Sequence, residues 1–491
     1  MNVRCSTTLK GEMLTDTKAE LQWDNIDWKT VYERVNRLQT RITKAVKQKK
    51  WHLVKRLQYL LTHSQGAKML AVRRVSQNKG RRTAGVDGEK WITPEAKMNA
   101  ALRLSDKKYR AKPLRRVYIE KFGKKEKRPL SIPTMYDRAM QALYSLALSP
   151  VAEAEGDYRS FGFRVYRCTQ DACGQAFIGL SRKGSARWIL EGDIKGCFDN
   201  INHEWLLRNT MMNKSVLKQF LKAGFVYNRE LFPTERGTPQ GGVISPILAN
   251  ITLDGMEAII DDKYHLKQNT KKVNLVRYAD DFIVTADTEE TAKEVARMIR
   301  RFLKERGLEL SERKTTITHI DKGFDFLGWN FRKYKGKLLI KPSKKSIDKV
   351  TSTISGVIKD GKVWTQKDLI DALNPIITGW ANYHQSVVSK DIFKKMDNKV
   401  WNMLWRWAKR RHAQDKKSKK WILNKYWHKE GTRNWVFSSE GKNLKRFSDT
   451  KIVRHTPLKL KMNPYLDREY FEIRRDRRSR KTRIKGEAIG L

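Results

Sequence analysis

The segment Tyr278-Ala279-Asp280-Asp281 constrains the fold of this chain more than any other feature. It lies between two apolar runs, Leu275-Val276 and Phe282-Ile283-Val284, which predict two strands joined by a tight hairpin. The two adjacent carboxylates at the hairpin tip repel each other, and neither can be buried without a partner. A pair of divalent metal ions would supply that partner, so the pattern predicts a metal site at the tip.

Asp193 is the third carboxylate that this interpretation needs. It follows Trp188-Ile189-Leu190, an apolar stretch that predicts a strand ending at the aspartate. Three carboxylates on two adjacent strands can hold the two metal ions of a phosphoryl-transfer site. Mg²⁺ prefers hard oxygen ligands, and the carbonyl oxygen of Ile194 would lie nearby. The predicted metal ligands are therefore Asp193, Ile194, Asp280 and Asp281.

Phe198 and Gln240 are candidates for contact with a nucleotide. Phe198 lies five residues after Asp193, where its ring could wall the sugar of an incoming nucleotide and clash with a 2′-hydroxyl. Gln240 lies in the glycine-rich loop Gly237 to Gly242, and its amide can both donate and accept hydrogen bonds. Each residue also has an ordinary explanation, a core aromatic for Phe198 and a simple turn for the loop of Gln240.

Lys121, Arg128 and Lys314 are the candidate cations. Lys121 and Arg128 flank a glycine-containing turn and could clamp triphosphate oxygens, the guanidinium binding with two hydrogen bonds. A solvated basic hairpin is the alternative explanation. Lys314, which follows Asp280 and Asp281 in the chain, is a weaker candidate.

Composition indicates a polyanionic partner. The 491 residues include 103 Lys and Arg against 53 Asp and Glu, a net charge of +50. Such a charge opposes compaction unless RNA or DNA neutralises it. A membrane surface is the alternative, but we find no apolar run of about 20 residues and no signal peptide. The four cysteines form no Cys-x-x-Cys pair, which argues against a zinc or disulfide framework.

The ordered set of motifs resembles the conserved blocks of reverse transcriptases, and in particular those of bacterial group II intron-encoded proteins. The blocks common to reverse transcriptases are Asp193 to Asp199, Gly237 to Gly242, Tyr278 to Asp281, Leu310 to Thr315 and Phe326 to Trp329. The blocks that narrow the resemblance are Arg128 to Pro133, Ser160 to Arg164, Gln77 to Gly88, which is similar to an N-terminal extension, and Ile377 to Tyr383, which is similar to a maturase region.

The resemblance implies an α+β fold, the right-hand polymerase with fingers, palm and thumb. We expect a basic helical N-terminal arm over residues 1–70, and fingers and palm with an N-terminal extension over 71–335. An α-helical thumb or maturase domain would cover 336–440, and a basic DNA-binding segment 441–491. The charge run at 474–481 predicts an exposed end to that segment.

The resemblance also implies roles for the candidate residues. The protein would be an RNA-directed DNA polymerase, with Asp193, Asp280 and Asp281 holding two Mg²⁺ ions. Lys121, Arg128 and Gln240 would contact the deoxynucleotide, Phe198 would be the sugar gate, and Lys314 would assist them.

The implied partners are a group II intron RNA, an RNA template with a DNA primer, and target DNA, with no membrane. The protein would stabilise the intron for splicing and copy it by target-primed reverse transcription during retrohoming. We expect it in the bacterial cytoplasm, in ribonucleoprotein associated with the nucleoid.

Two other functions remain open, and one further activity is not expected. The chain could be a reverse transcriptase of a diversity-generating, CRISPR-linked or phage-defence system, although those usually lack a maturase region. It could also be an RNA-binding splicing factor with an inactive polymerase, although the three aspartates argue against this. Relatives often end in an HNH endonuclease supported by Cys-x-x-Cys pairs; no cysteine follows Cys197, so we do not expect that domain.

Overall fold

The structure is a computed structural model that describes residues 23–120, 123, 127–264 and 270–476. Lys121, the first 22 residues of the predicted N-terminal arm and residues 477–491 of the predicted C-terminal segment lie outside the described residues. Within them the chain mixes helices with four sheets, so the predicted α+β fold is confirmed. In the part of the chain that the structure describes, no helix combines the length and apolarity needed to cross a membrane.

The first half of the chain alternates helices with short strands. In chain order these elements are α1 Trp28–Lys47, α2 Trp51–His63, α3 Gln65–Gln77, α4 Pro94–Arg103, β1 Leu114–Glu120, β2 Lys127–Ile132, α5 Met135–Glu155, α6 Thr169–Leu180, β3 Trp188–Asp193, α7 Cys197–Asn200, α8 His203–Asn209, α9 Lys214–Leu221, β4 Phe225–Tyr227, β5 Glu230–Phe232, α10 Ser245–Leu253 and α11 Met256–Tyr264.

The second half contains the hairpin predicted around Tyr278 to Asp281 and a mainly helical region. Its elements are β6 Asn274–Tyr278, β7 Asp281–Ala286, α12 Glu289–Lys304, β8 Thr316–His319, β9 Phe324–Phe326, β10 Trp329–Tyr334, β11 Lys337–Pro342, α13 Lys344–Asp360, α14 Gln366–His384, α15 Lys390–Arg411, α16 Lys419–Tyr426, β12 Trp427–Glu430, β13 Arg433–Ser439 and β14 Lys442–Asn443.

A four-stranded antiparallel sheet with the order β6-β7-β3-β8 carries the three aspartates. Strands β6 and β7 form the predicted hairpin, and β3 pairs with β7 along its whole length. Gly192 makes this pairing possible, because a Cβ atom there would lie 2.1 Å from the ring of Phe282. Behind the sheet packs α12, whose apolar face buries Val295, Ile299 and Leu303.

The N-terminal helices share one hydrophobic core with this sheet. Helix α5 is buried along most of its length and packs against α1, α2 and α3. A single cluster of buried side chains runs from Trp23 through α5 to Leu310. The sheet with its aspartates therefore rests on the same core as the helices that precede it.

The region after β11 forms a second core and departs from the prediction of an all-helical domain. Helices α13 to α16 pack together, but the three-stranded sheet β12-β13-β14 completes their core. Trp427 and Phe437 are cross-strand partners in that sheet, and both are buried. Because large aromatic side chains fit one face of a pleated strand, this short stretch pairs as strands instead of extending α16.

The C-terminal segment folds back over the N-terminal half of the chain. The Tyr465 hydroxyl lies 2.7 Å from Ser149 Oγ, and the Thr40 hydroxyl donates to the Tyr465 carbonyl at 2.9 Å. Arg474 is buried and pairs with Asp171 on α6. The expectation that the charge run beginning at Arg474 is exposed is therefore wrong at that residue, because a buried carboxylate compensates its charge.

A buried ion-pair network lies beneath the hairpin. Arg277, the residue before Tyr278, is fully buried, donates to Asn250 Oδ1 at 3.2 Å and pairs with Asp254. Asp157 lies 3.7 Å from the same guanidinium. Each charge has a partner of opposite sign, which buried ions require.

We expect Asp254→Ala to lower the free energy of unfolding by about 3–5 kcal/mol, because it leaves the Arg277 charge buried without its main partner. The measurement is urea denaturation. Asp371→Ala is the matched control, since Asp371 pairs with Lys442 at 2.6 Å while both side chains are about half exposed. That control should cost less than about 1 kcal/mol, and equal losses for the two variants would contradict the prediction.

Candidate active site

The three predicted carboxylates lie together at one end of the sheet. Asp193 and Asp281 are directly opposite residues of β3 and β7. Asp280 precedes Asp281 in the turn of the hairpin, where Ala279 adopts a left-handed φ of 57°. Opposite residues of an antiparallel pair project to the same face. The hairpin therefore brings two of the carboxylates to one face and places the third at its tip.

Lys314 contacts this group directly. Its ammonium nitrogen lies 2.7 Å from Asp193 Oδ2. Lys314 lies on the segment between α12 and β8, which pairs with the chain at the end of β3. Ser311 N donates to the Asp193 carbonyl at 2.8 Å, and Leu310 forms a β-bridge with Ile194. The side chain of Ile194 is buried in the main core, so its backbone oxygen is the only group that it can offer to the site.

The electrostatics of the carboxylates favour a cation. Asp281 lies at the solvent-exposed end of β7, but partial desolvation of its carboxyl by the surrounding chain, followed by the charges of Asp280 and Asp193, raises its pKa to about 6. Burial and the charge of Asp193 also raise the pKa of Asp280, although Arg128 and Lys314 oppose that shift. A divalent ion would relieve this repulsion, and carboxylate oxygens are ligands that such ions accept. The donor set therefore fits a divalent metal ion.

Gln240 and Phe198 lie on a neighbouring pair of segments. Gln240 donates from Nε2 to both carboxylate oxygens of Asp199, at 3.1 and 3.3 Å. Its loop is seated on the start of α7, since Thr238 N donates to the Phe198 carbonyl at 2.6 Å. A Cβ atom on Gly237 would lie 2.6 Å from the Asp199 backbone, so glycine is required for this approach.

The structure thus brings together most of the predicted site residues. Asp193, Asp280 and Asp281 form one group with Lys314 in contact and Arg128 close enough to influence Asp280. Gln240 and Phe198 lie on a second pair of segments, the loop and α7, which hydrogen bonds join to each other. Lys121 lies outside the described residues, so its position is not part of this geometry.

The sequence predicts no role in the site for the Ser160–Arg164 loop. Ser160 pairs in parallel with Arg277, and Phe161 N donates to the Arg277 carbonyl at 2.9 Å. A Cβ atom on Gly162 would lie 2.3 Å from the backbone nitrogen of Ala279. The loop is therefore packed directly on the turn that carries Asp280. Arg277, which follows the buried apolar residues Leu275 and Val276 in β6, was the available signal, because a charge there demands buried partners.

A second cluster of possible metal ligands contains none of these three aspartates. Cys168, Asp171 and His455 are the only three such side chains, among the described residues, whose ligand atoms lie within 4.8 Å of one another. Burial opposes ionisation of Asp171, but His455 and Arg474 outweigh it and lower its pKa to about 2. Because Arg474 already compensates the carboxylate, we interpret the cluster as an attachment of the C-terminal segment.

Comparison with known proteins identifies the class. The family model described as "Reverse transcriptase (RNA-dependent DNA polymerase)" matches residues 119–331. "N-terminal domain of reverse transcriptase" matches 23–104, and "Group II intron, maturase-specific domain" matches 347–427. The carboxylate-bearing sheet and these matches define a reverse-transcriptase fold.

Similar curated proteins narrow the class. Group II intron-encoded protein LtrA of Lactococcus lactis subsp. cremoris is 31% identical over 329 residues, which cover 54% of this chain and 54% of that protein. Protein YkfC of Escherichia coli K12 is 30% identical over 325 residues, covering 58% of this chain and 83% of YkfC. Maturase-like protein 1 of Euglena gracilis is 26% identical over 344 residues, covering 67% and 70%.

The chain belongs to the family of group II intron-encoded reverse transcriptases with a maturase-specific domain, which confirms the resemblance seen in the sequence. It spans about half the length of LtrA.

We expect Gly162→Ala to reduce primer extension at least about 100-fold, because the added methyl group must displace the backbone of the turn that carries Asp280. The measurement is single-nucleotide incorporation under saturating template. Gly174→Ala is the matched control, since a Cβ atom on Gly174 meets nothing within 4 Å. Full activity of the Gly162 variant would show that the turn does not depend on this packing.

The raised pKa of Asp281 gives a stability prediction with a definite sign. Ionisation of this carboxyl destabilises the fold as pH rises from about 4 through about 6, because the folded chain binds the proton more tightly than the unfolded chain. In metal-free buffer near pH 8, Asp281→Asn should therefore raise the free energy of unfolding. The Asp281 side chain is exposed to solvent, which limits the gain to about 1 kcal/mol.

Urea denaturation of wild type and Asp281→Asn near pH 8 and near pH 4 measures this effect. Near pH 4 most of the difference should vanish, since the carboxyl is then protonated in the folded chain. A variant that is less stable than wild type at the higher pH would refute the assigned repulsion.

Proposed function

We propose that this protein is an RNA-directed DNA polymerase and a maturase for a group II intron. The observation that carries the polymerase assignment is the pairing of Asp193 with Asp281 across β3 and β7, with Asp280 in the adjoining turn. Membership of the family and the match to a maturase-specific domain support the second activity.

Asp193, Asp280 and Asp281 would hold two Mg²⁺ ions, with the Ile194 carbonyl as a further oxygen ligand. When bound, the ions would activate the primer 3′-oxygen and stabilise the pyrophosphate leaving group. Lys314 holds the Asp193 carboxylate in place and limits the repulsion that the three aspartates exert on one another.

The remaining site residues would bind the deoxynucleotide. Arg128, on the exposed part of β2, would bind the triphosphate together with Lys121, each supplying positive charge. Gln240 is fixed by its hydrogen bonds to Asp199, which is the residue that follows Phe198 in the chain. Phe198 would stand against the sugar and exclude a 2′-hydroxyl.

RNA and DNA are the proposed macromolecular partners. The charge of +50 supports binding to phosphate backbones, and structured RNA is recognised largely through shape and phosphate contacts. We assign fingers and palm to residues 71–335, the thumb or maturase domain to 336–440, and DNA contact to 441–491. The resulting ribonucleoprotein would act in the bacterial cytoplasm, associated with the nucleoid, by target-primed reverse transcription.

Primer extension on an RNA template with deoxynucleotides and Mg²⁺ tests the polymerase, with Asp280→Ala as the variant. We expect its rate to fall at least about 1,000-fold, because removing a metal ligand forfeits several kcal/mol of transition-state stabilisation. Binding of intron RNA and splicing should remain. Asp415→Ala, which alters an exposed carboxylate far along the chain, is the matched control.

Equal extension by wild type and Asp280→Ala would refute the assigned site. No extension by either protein, with intron RNA still bound and spliced, would favour a splicing cofactor without polymerase activity.

A further inference from the structure

Phe163 is an unusual residue beside the candidate active site. Its side chain is 51% exposed, and its backbone adopts a left-handed φ of 59°. A bulky residue seldom adopts this conformation, which persists only where the surrounding structure imposes it. The exposed ring belongs to none of the three hydrophobic cores that the described residues form, so it calls for another explanation.

The contacts of Phe163 connect it to the proposed sugar gate. Its ring meets that of Phe198 edge to face, with centroids 6.1 Å apart and an interplanar angle of 78°. Phe198 is also partly buried against the main core. Phe198 thus packs both on the core and on the exposed ring of Phe163.

The backbone at Phe163 is fixed relative to the aspartates. The preceding Gly162 packs on the backbone of Ala279, and its carbonyl accepts a hydrogen bond from Asn250 Nδ2 at 2.9 Å. Asn250 in turn binds the buried guanidinium of Arg277. A shift of the loop would therefore have to break contacts with the same hairpin that carries Asp280 and Asp281.

We infer that Phe163 is a specificity-determining positioning residue that acts through Phe198 to exclude ribonucleotides. This inference rests on the proposed polymerase function. A steric gate discriminates only if it cannot move aside, because an additional hydroxyl group needs little space. The edge-to-face contact restrains the Phe198 ring, and the anchored loop keeps that restraint at a constant position beside the metal site.

The test compares incorporation of a deoxynucleotide with that of the matching ribonucleotide by the full chain on an RNA template. For Phe163→Ala we expect the ratio of the two kcat/KM values to fall roughly 3- to 10-fold, as the loss of one aromatic pair predicts. The change should come from faster ribonucleotide incorporation, with kcat for the deoxynucleotide nearly unchanged. A merely structural role would lower both rates together.

The double variant with Phe198→Ala separates this mechanism from others. If Phe163 acts through Phe198, the double variant should have the ratio of Phe198→Ala alone. The inference would be overturned if the two substitutions lowered the ratio independently, so that their fold-changes multiplied in the double variant. An unchanged ratio in Phe163→Ala would overturn it as well. Phe177→Ala, which removes a similarly exposed phenylalanine from α6, is the matched control and should keep the wild-type ratio.

Phe163→Gly provides a second variant for the case in which alanine disturbs the loop. Glycine adopts the left-handed backbone without strain, so this variant should keep the loop folded. It should show the same fall in the ratio. Failure of wild type to extend with deoxynucleotides would count against the proposed function itself. Normal extension with an unchanged ratio in both variants would count only against the role of Phe163.

Discussion

Repulsion among three carboxylates is the constraint on which the rest of the site depends. Asp193, Asp280 and Asp281 would separate in a flexible chain, because the charge of Asp193 raises the pKa of Asp280, and the charges of Asp280 and Asp193 raise the pKa of Asp281. The sheet prevents this by pairing β3 with β7 over their full length. Burial of the large core behind the sheet offsets the free energy of this repulsion. The three carboxylates that suit the site for metal binding therefore lower the stability of the fold.

The buried charges beneath the hairpin show how the sheet resists that repulsion. Arg277 lies on β6, and its guanidinium contacts Asp254, Asp157 and Asn250. Apolar side chains could fill the same volume, and a buried ion pair is often no more stabilising than such a replacement. The directional hydrogen bonds of arginine instead join three separate segments, α10, the loop after α5 and the hairpin, in one geometry.

The hairpin and the strand that ends at Asp193 were predictable because they follow from local patterns, and the fold class was predictable from the resemblance of the ordered motifs to those of reverse transcriptases. Apolar runs around Tyr278 to Asp281 identify strands, and a charged tip between them identifies the turn. The partners of Arg277 and of Arg474 were not predictable in this way. Asp171 and Arg474 lie 303 residues apart in the sequence. No local pattern predicts which buried carboxylate pairs with an arginine so distant in the chain. The strands β12 to β14 were missed because their aromatic residues equally suit a helical face.

Backbone conformation explains why the loop at Phe163 could not be recognised from its sequence. Local preference assigns left-handed backbone to glycine, yet Ala279 and Phe163 both adopt it, while Gly162 between them supplies close packing. Each departure is imposed by neighbours that the chain brings together only on folding. Conflict between local preference and native conformation is tolerated where function requires it. Phe163 follows Gly162 and Ala279 precedes Asp280, so the two strained residues adjoin the contact between Gly162 and Ala279. The strain therefore lies where the positions of the Phe198 ring and of the Asp280 carboxylate must both be fixed.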